Sequence, residues 1–203
     1  ALPSMAQDFG VATAFMSNSV PAYFVGLVVG QLFYGPISDR IGRIKPLYVG
    51  MVLYVIASVM CATTTNEYVL FVSRTLQALG ACVGTVVSRA MIRDRLHPKQ
   101  MAKAFSLMVL VMGIAPILAP SLGSLLLKVA SWRVIFWFLA GFGILNIVLT
   151  RLFLHETLTD EFRNNRPMND VLSQYWDLLK DTQFNYPAIG AGLLMGSMFV
   201  YIS

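Results

Sequence analysis

Apolar runs long enough to cross a bilayer, parted by short charged breaks, constrain this chain more than any other feature. A helix spans roughly 30 Å of hydrocarbon with about 20 residues at about 1.5 Å each. Complete runs fall near residues 16–34, 46–65, 68–89, 104–127 and 133–153, and a further one begins near Pro187 and continues to Ser203. Hydrophobic residues make up 57% of the chain and charged residues 12%, where a soluble domain carries roughly 25% charge. An all-α integral membrane protein is therefore expected, and disordered or disulfide-stapled classes are excluded. Cys61 and Cys82 both lie in apolar surroundings with no CxxC or Cys/His cluster. Neither a disulfide framework nor a metal site is expected.

The placement of charge sets the topology. Arg40, Arg43 and Lys45 fall in the first break, Arg89, Arg93, Arg95, Lys99 and Lys103 in the third, and Arg151, Arg163, Arg166 and Lys180 around the last, against only Lys128 and Arg133 on the opposite side. Short cytoplasmic loops hold the Lys and Arg excess. Residues 1–15 are thus expected outside and the loops near 40, 97 and 170 in the cytoplasm. Residues 1–11, with Pro3, Gln7 and Asp8, lack the basic start and cleavage site of a signal peptide and read as a loop between spans. Residues 155–186 read as a cytoplasmic linker. Within it Val171, Leu172, Tyr175, Trp176, Leu178 and Leu179 repeat at helical spacing behind a cap at Asn169 or Asp170, giving an interfacial amphipathic helix or a solvated linker helix.

Three motifs carry the chemistry. The first break reads Gly35-Pro-Ile-Ser-Asp39-Arg40-Ile-Gly42-Arg43-Ile-Lys45. Gly35 is expected to let two helices touch, Asp39 to complement the positive N-terminus of a facing helix, and Gly42 to allow a tight reversal. The second is Arg74-Thr-Leu-Gln77-Ala-Leu-Gly80, inside a span. A guanidinium there costs roughly 3 kcal/mol unless it faces protein, water or a counter-charge, and Gln77 lies on the same helical face. No Asp or Glu occupies the body of any span, so Arg74 lacks a carboxylate unless Glu67 or Asp8 folds toward it. The third is Gly113-Ile-Ala-Pro116-Ile-Leu-Ala119-Pro120-Ser-Leu-Gly123. Ala115, Ala119 and Gly123 make a small face for close packing, and Pro116 and Pro120 remove backbone hydrogen bonds and bend the helix.

Weaker signals surround these. Gln31, Tyr34, Met108, Met112 and Tyr201, with Asn18, Tyr23 and Asn146, are candidates to line a cavity. The pairs Gly26/Gly30, Gly80/Gly84 and Gly192/Gly196 read as packing faces. His97 and His155 have no nucleophile or metal-ligand spacing beside them, so no enzyme is expected, and nothing supports nucleic-acid binding.

The motifs at 35–45, 74–80 and 113–123 resemble those of the major facilitator superfamily. With Ala1-Leu2-Pro3, Ser131-Trp132-Arg133 and Glu156-Thr157-Leu158, the chain resembles the Bcr/CflA drug-resistance transporters, a bacterial group of drug and proton antiporters. The resemblance implies the N-terminal helical bundle of a twelve-span transporter. Residues 1–154 would be spans two to six, 155–186 the linker between halves, and 187–203 the start of span seven, with the first span and the C-terminal half as partners outside this sequence. It further implies export of a drug-like small molecule across the bacterial inner membrane, with the proton as coupling ion and no other cofactor. Arg74 and Gln77 would serve coupling. Gly35, Asp39, Arg40, Gly42, Arg43 and Lys45 would form a cytoplasmic gate with Asp94, expected beside Arg43 because their loops share a side. A superfamily importer or uniporter is the nearest alternative, disfavoured by Pro120 and Gly123; a channel, scaffold or receptor belongs to another class.

Overall fold

The computed structural model describes residues 2–129, 131–159 and 168–202, and among these every regular element is a helix. In order they are α1 (Leu2–Phe9), α2 (Thr13–Ser17), α3 (Ser19–Ile41), α4 (Ile44–Thr63), α5 (Glu67–Arg95), α6 (Pro98–Val129), α7 (Arg133–Phe153), α8 (Met168–Lys180) and α9 (Thr182–Ile202). Five stretches are long and apolar enough to cross a membrane: Thr13–Ile41, Ile44–Thr63, Glu67–Arg95, Pro98–Lys128 and Arg133–Phe153.

Helix ends lie where local chemistry stops them, and not where the apolar runs stop. The first span continues past residue 34 to Ile41, so Gly35, Pro36, Asp39 and Arg40 are helical rather than in a loop. The helix of the second motif, α5, likewise runs past residue 89 to Arg95. Charged side chains at a membrane face do not terminate a helix; the reversal at Gly42, with φ +95°, does. At the other end of α5 the Asn66 side chain accepts from Tyr68 N at 2.9 Å and Val69 N at 3.2 Å, an N-cap, followed by Glu67 in the positive first turn.

The expected loop at residues 1–11 is corrected: it contains α1. Leu2, Met5, Ala6 and Phe9 repeat at i, i+3, i+4 and i+7, and this face packs with Met16, Cys61, Ala62, Leu70, Trp132 and Phe136 into a core at the Asn66 end of the bundle. A smaller core at the Gly42 end joins Leu47, Val83 and Val87 with Tyr34, Met51 and Met91 packed around them.

Between these cores α5 lies against α3 and α4, and α4 against α7. Close approach depends on glycine. A Cβ at Gly26 would meet the carbonyl of Thr75, one at Gly30 the Sγ of Cys82, and one at Gly80 would fall 2.5 Å from both Gly50 O and Tyr54 N. Thr75 Oγ1 crosses the α3–α5 seam to donate to Ala22 O at 3.1 Å. Gly35 departs from expectation: nothing lies within 4 Å of where its Cβ would be, and Gly84 and Gly192 are equally open.

The chain divides into two compact units, Ala1–Arg163 and Asn164–Ser203. In the second, α8 begins at Met168, one residue before the expected cap, and Lys180 Nζ lies 5.4 Å from the Trp176 ring centre. Asp181 Oδ1 accepts from Gln183 N at 2.9 Å, so α9 starts at Thr182, five residues ahead of Pro187. Tyr201 is on α9, but its side chain and that of Gly196 lie outside the described residues, as do residues 160–167.

Candidate functional site

The polar centre of the bundle is built on α5. Glu67 opens that helix, and Arg74 follows two turns later, about 10 Å along its axis. Arg74 and Gln77 share a face, as their spacing requires: Arg74 Nη1 donates to Gln77 Oε1 at 2.7 Å. Gln77 is fully buried and passes the chain on, Nε2 donating to Ser58 Oγ at 2.7 Å, which donates to Tyr54 O at 2.7 Å. The guanidinium lies over the Tyr23 ring, 4.5 Å from its centre, and 5.6 Å from that of Phe136. No carboxylate among the described residues pairs with it. Of the two candidates from sequence, Asp8 turns elsewhere and Glu67 enters no ion pair. Every partner Arg74 has here is neutral.

Asp8 instead binds Arg133. Its Oδ2 accepts from Arg133 Nη1 and, at 3.1 Å, from Trp132 Nε1, while Arg133 Nη2 donates to Thr64 O at 3.1 Å and the guanidinium covers the Trp132 ring at 4.4 Å. The bond from Arg133 leads in holding the Asp8 carboxyl below its ordinary value. This clasp ties α1, the α4 exit and the α7 entry. In the sequence Trp132 is only a family marker and Arg133 one of two basic residues on the side poor in them; that scarcity, opposite Asp8, was the available signal.

A second cluster closes the Gly42 end, about 30 Å further along α5. Arg43 is 5% exposed. Its Nε and Nη2 fork onto Asp94 at 2.8 and 3.2 Å, and its Nη1 donates to Ser38 Oγ at 2.9 Å and pairs with Asp39. Arg43 and Asp94 thus meet, as the shared loop side suggested. The expected role of Asp39 at a helix N-terminus is corrected. Glu156 takes that place, its Oε1 accepting from Arg43 N at 2.9 Å and its Oε2 from Ile44 N at 3.2 Å, at the start of α4. Burial raises the Glu156 pKa, but the backbone donors of Arg43, Leu158, Ile44 and Thr157 outweigh it and the carboxyl titrates low. Arg95 Nη2 reaches Glu156 O at 3.3 Å, and Thr157 Oγ1 donates to Asp94 Oδ2 at 3.1 Å. A Cβ at Gly42 would fall 2.5 Å from Glu156 Oε2, so a side chain there would push this carboxylate aside, besides adopting a φ that favours glycine. Arg40 and Lys45 enter no ion pair among the described residues. In the sequence Glu156 stands at the start of the linker and in the Glu156-Thr157-Leu158 family marker; an acid immediately after a span, facing a basic turn, was its signal.

The third motif is not brought to either cluster. Gly113, Pro116, Ala119, Pro120 and Gly123 all lie on α6, both prolines within it, and nothing is within 4 Å of a Cβ at Gly113 or Gly123. The small face expected to pack closely has no neighbour among the described residues. Most of α6 is exposed, because few groups of α5 and α7 reach it.

A cavity of about 400 Å³ opens between α3, α4, α5 and α7, lined in part by Tyr23, Met51, Tyr54, Ser88, Asn146 and Thr150. The expected lining residues do not reach it: Gln31 is exposed on α3, Tyr34 packs into the Gly42-end core, and Met108 and Met112 are on α6. Tyr23 and Asn146, the weaker candidates, do line it.

Spanning helices knitted by glycine, an intramembrane arginine with neutral partners and a charged clasp at each end define a polytopic α-helical membrane protein with a polar interior. The Major Facilitator Superfamily matches over residues 1–203, and the chain belongs to that family. It is 37% identical over 203 residues to the uncharacterized MFS-type transporter YdgK of Bacillus subtilis, covering 99% of this chain and 50% of that protein. It is 36% identical to the multidrug resistance protein MdtL of Escherichia fergusonii over 172 residues, 81% of this chain and 44% of the relative, and to MdtL of Klebsiella pneumoniae over 156 residues, 77% and 40%. The chain spans half the length, or less, of these curated relatives. Family and relatives are transporters and not enzymes.

Proposed function

We propose that this chain is the N-terminal bundle of a bacterial inner-membrane exporter, of the Bcr/CflA kind, that moves drug-like amphipathic molecules outward in exchange for protons. The observation that carries the reading is the intramembrane Arg74, held by Gln77, Tyr23 and Phe136 with no carboxylate among the described residues. A buried cation with only neutral partners is poised for an anionic one, since an opposite charge in low dielectric outweighs neutral contacts. By resemblance that partner is a carboxylate on the family's first span. Ionised, it draws Arg74; protonated, it releases it, and a drug competing for the same acid exchanges for the proton. The similarity to proteins named for multidrug resistance supports the substrate class.

Alternating access needs two states that close opposite ends. The Arg43, Asp94, Asp39 and Glu156 cluster serves as the cytoplasmic clasp and Asp8 with Arg133 as the periplasmic tie, with residues 1–15 periplasmic and the loops near 40, 97 and 170 cytoplasmic. On this reading the α6 motif rocks against the first span, and the C-terminal half supplies the facing wall of the cavity. The test is proton movement on adding cationic and neutral drugs to the full-length protein in proteoliposomes. Drug-driven proton movement lost in Arg74→Ala supports antiport through this arginine. Flux that persists without a proton gradient instead favours a uniporter, and uptake coupled to proton entry favours the importer.

A further inference from the structure

Arg74 is approached from four elements. Gln77 on its own helix accepts one hydrogen bond at 2.7 Å. From α4, Ser58 reaches it through Gln77, and from α3 and α7 it meets two aromatic faces, Tyr23 at 4.5 Å and Phe136 at 5.6 Å from the ring centres. Both lie within the roughly 6 Å over which a ring quadrupole attracts a cation. Both rings have aromatic neighbours of their own. Phe136 is 4% exposed and stands edge-on to Trp132 at 5.9 Å, and Trp132 is held by Asp8; Tyr23 stands edge-on to Phe24 at 6.5 Å.

We propose that Tyr23 and Phe136 are an aromatic cage for Arg74, and that Tyr23 is a positioning residue whose ring holds the guanidinium whenever no carboxylate does. This deepens the antiport reading and rests on it for its consequence, though not for its geometry. A π face suits the task because it attracts the cation without binding a proton, which leaves protonation to the partner acid. It is also weaker than a charge-assisted hydrogen bond, so an ionised acid pulls Arg74 off the ring and a protonated one lets it return. Because the two rings belong to α3 and α7, the position of the guanidinium is felt by two helices joined through α5 and α4.

The test uses the full-length protein purified in detergent and in proteoliposomes. Tyr23 is replaced by Phe, Trp, Leu and phenylalanines bearing one, two or three ring fluorines, in Arg74 and in Arg74→Gln backgrounds. Fluorine drains the π face while keeping ring shape, so a packing role does not follow it. The expected result, measured at acidic pH where the partner acid is protonated, is a melting temperature that Tyr23→Phe and Tyr23→Trp preserve, that falls in step with fluorine count when Arg74 is present, and that loses this dependence in Arg74→Gln. Drug-driven proton movement should fall about tenfold in Tyr23→Leu and recover in Tyr23→Phe. A melting temperature indifferent to fluorine, or equally sensitive in both backgrounds, overturns the cage. If wild type moves no protons with any drug, the antiport reading fails, while the melting series still decides whether Tyr23 holds Arg74.

Discussion

Gly80 illustrates how much a single missing side chain decides. A Cβ there would fall 2.5 Å from Gly50 O and Tyr54 N, both backbone atoms that cannot turn aside, so α4 and α5 would have to separate. Gly80→Ala is expected to destabilise the protein by about 1–3 kcal/mol, read as a lowered melting temperature. Ser73 presents the opposite case. Its hydroxyl is buried without a hydrogen-bond partner, so it is desolvated for no return. Ser73→Ala should leave stability unchanged or raise it by about 1 kcal/mol in the same assay; a marked loss would reveal a partner for that oxygen. Spacing alone foresaw the Arg74 and Gln77 pair, because three residues along a helix return to one face. It could not foresee that Asp8 binds Arg133, since that contact joins positions far apart in the chain.

At the scale of elements, the start of α4 is held by a residue from the far end of the same unit. Glu156 follows α7, and its carboxylate takes the first backbone donors of α4 and four N–H groups in all. Those bonds favour the ionised form and keep the Glu156 pKa below its ordinary 4.5. The stabilisation is therefore complete above about pH 4.5 and disappears as pH falls through the lower folded value. The melting-temperature difference between wild type and Glu156→Gln should be constant at neutral pH and shrink only below about pH 4. A difference that already vanishes near pH 6 would mean that Glu156 is not held in this way. The helix extensions belong here too: α3 and α5 outrun their apolar cores because helix propensity, unlike bilayer thickness, is indifferent to the polarity of Asp39, Arg93 or Arg95.

At the scale of the molecule, the charge bias predicts sidedness, and it can be checked directly. With native Cys61 and Cys82 buried and unreactive, an impermeant maleimide added to intact cells should label the full-length protein at Thr65→Cys and not at Lys99→Cys. Labelling of Lys99→Cys should appear only after the membrane is opened. The reverse pattern would invert the topology and with it the assignment of the two clasps. Whole-molecule packing also explains why the 113–123 motif joins neither cluster. A helix with a small-residue face and two prolines gains little from the described neighbours.

The sequence by itself determined that the chain has several helices fit to span a membrane, which helix carries a buried charge and which family the motifs belong to. These are local properties, read from run length, charge placement and i, i+3 spacing. Only the tertiary structure decided that Arg74 rests on two aromatic rings, that Glu156 rather than Asp39 holds the start of α4, that Asp8 closes on Arg133, and that the cavity is lined by Tyr23, Tyr54 and Asn146. Each of those depends on which faces of separate helices meet, and rotation of one helix against another leaves no mark in the order of residues along either.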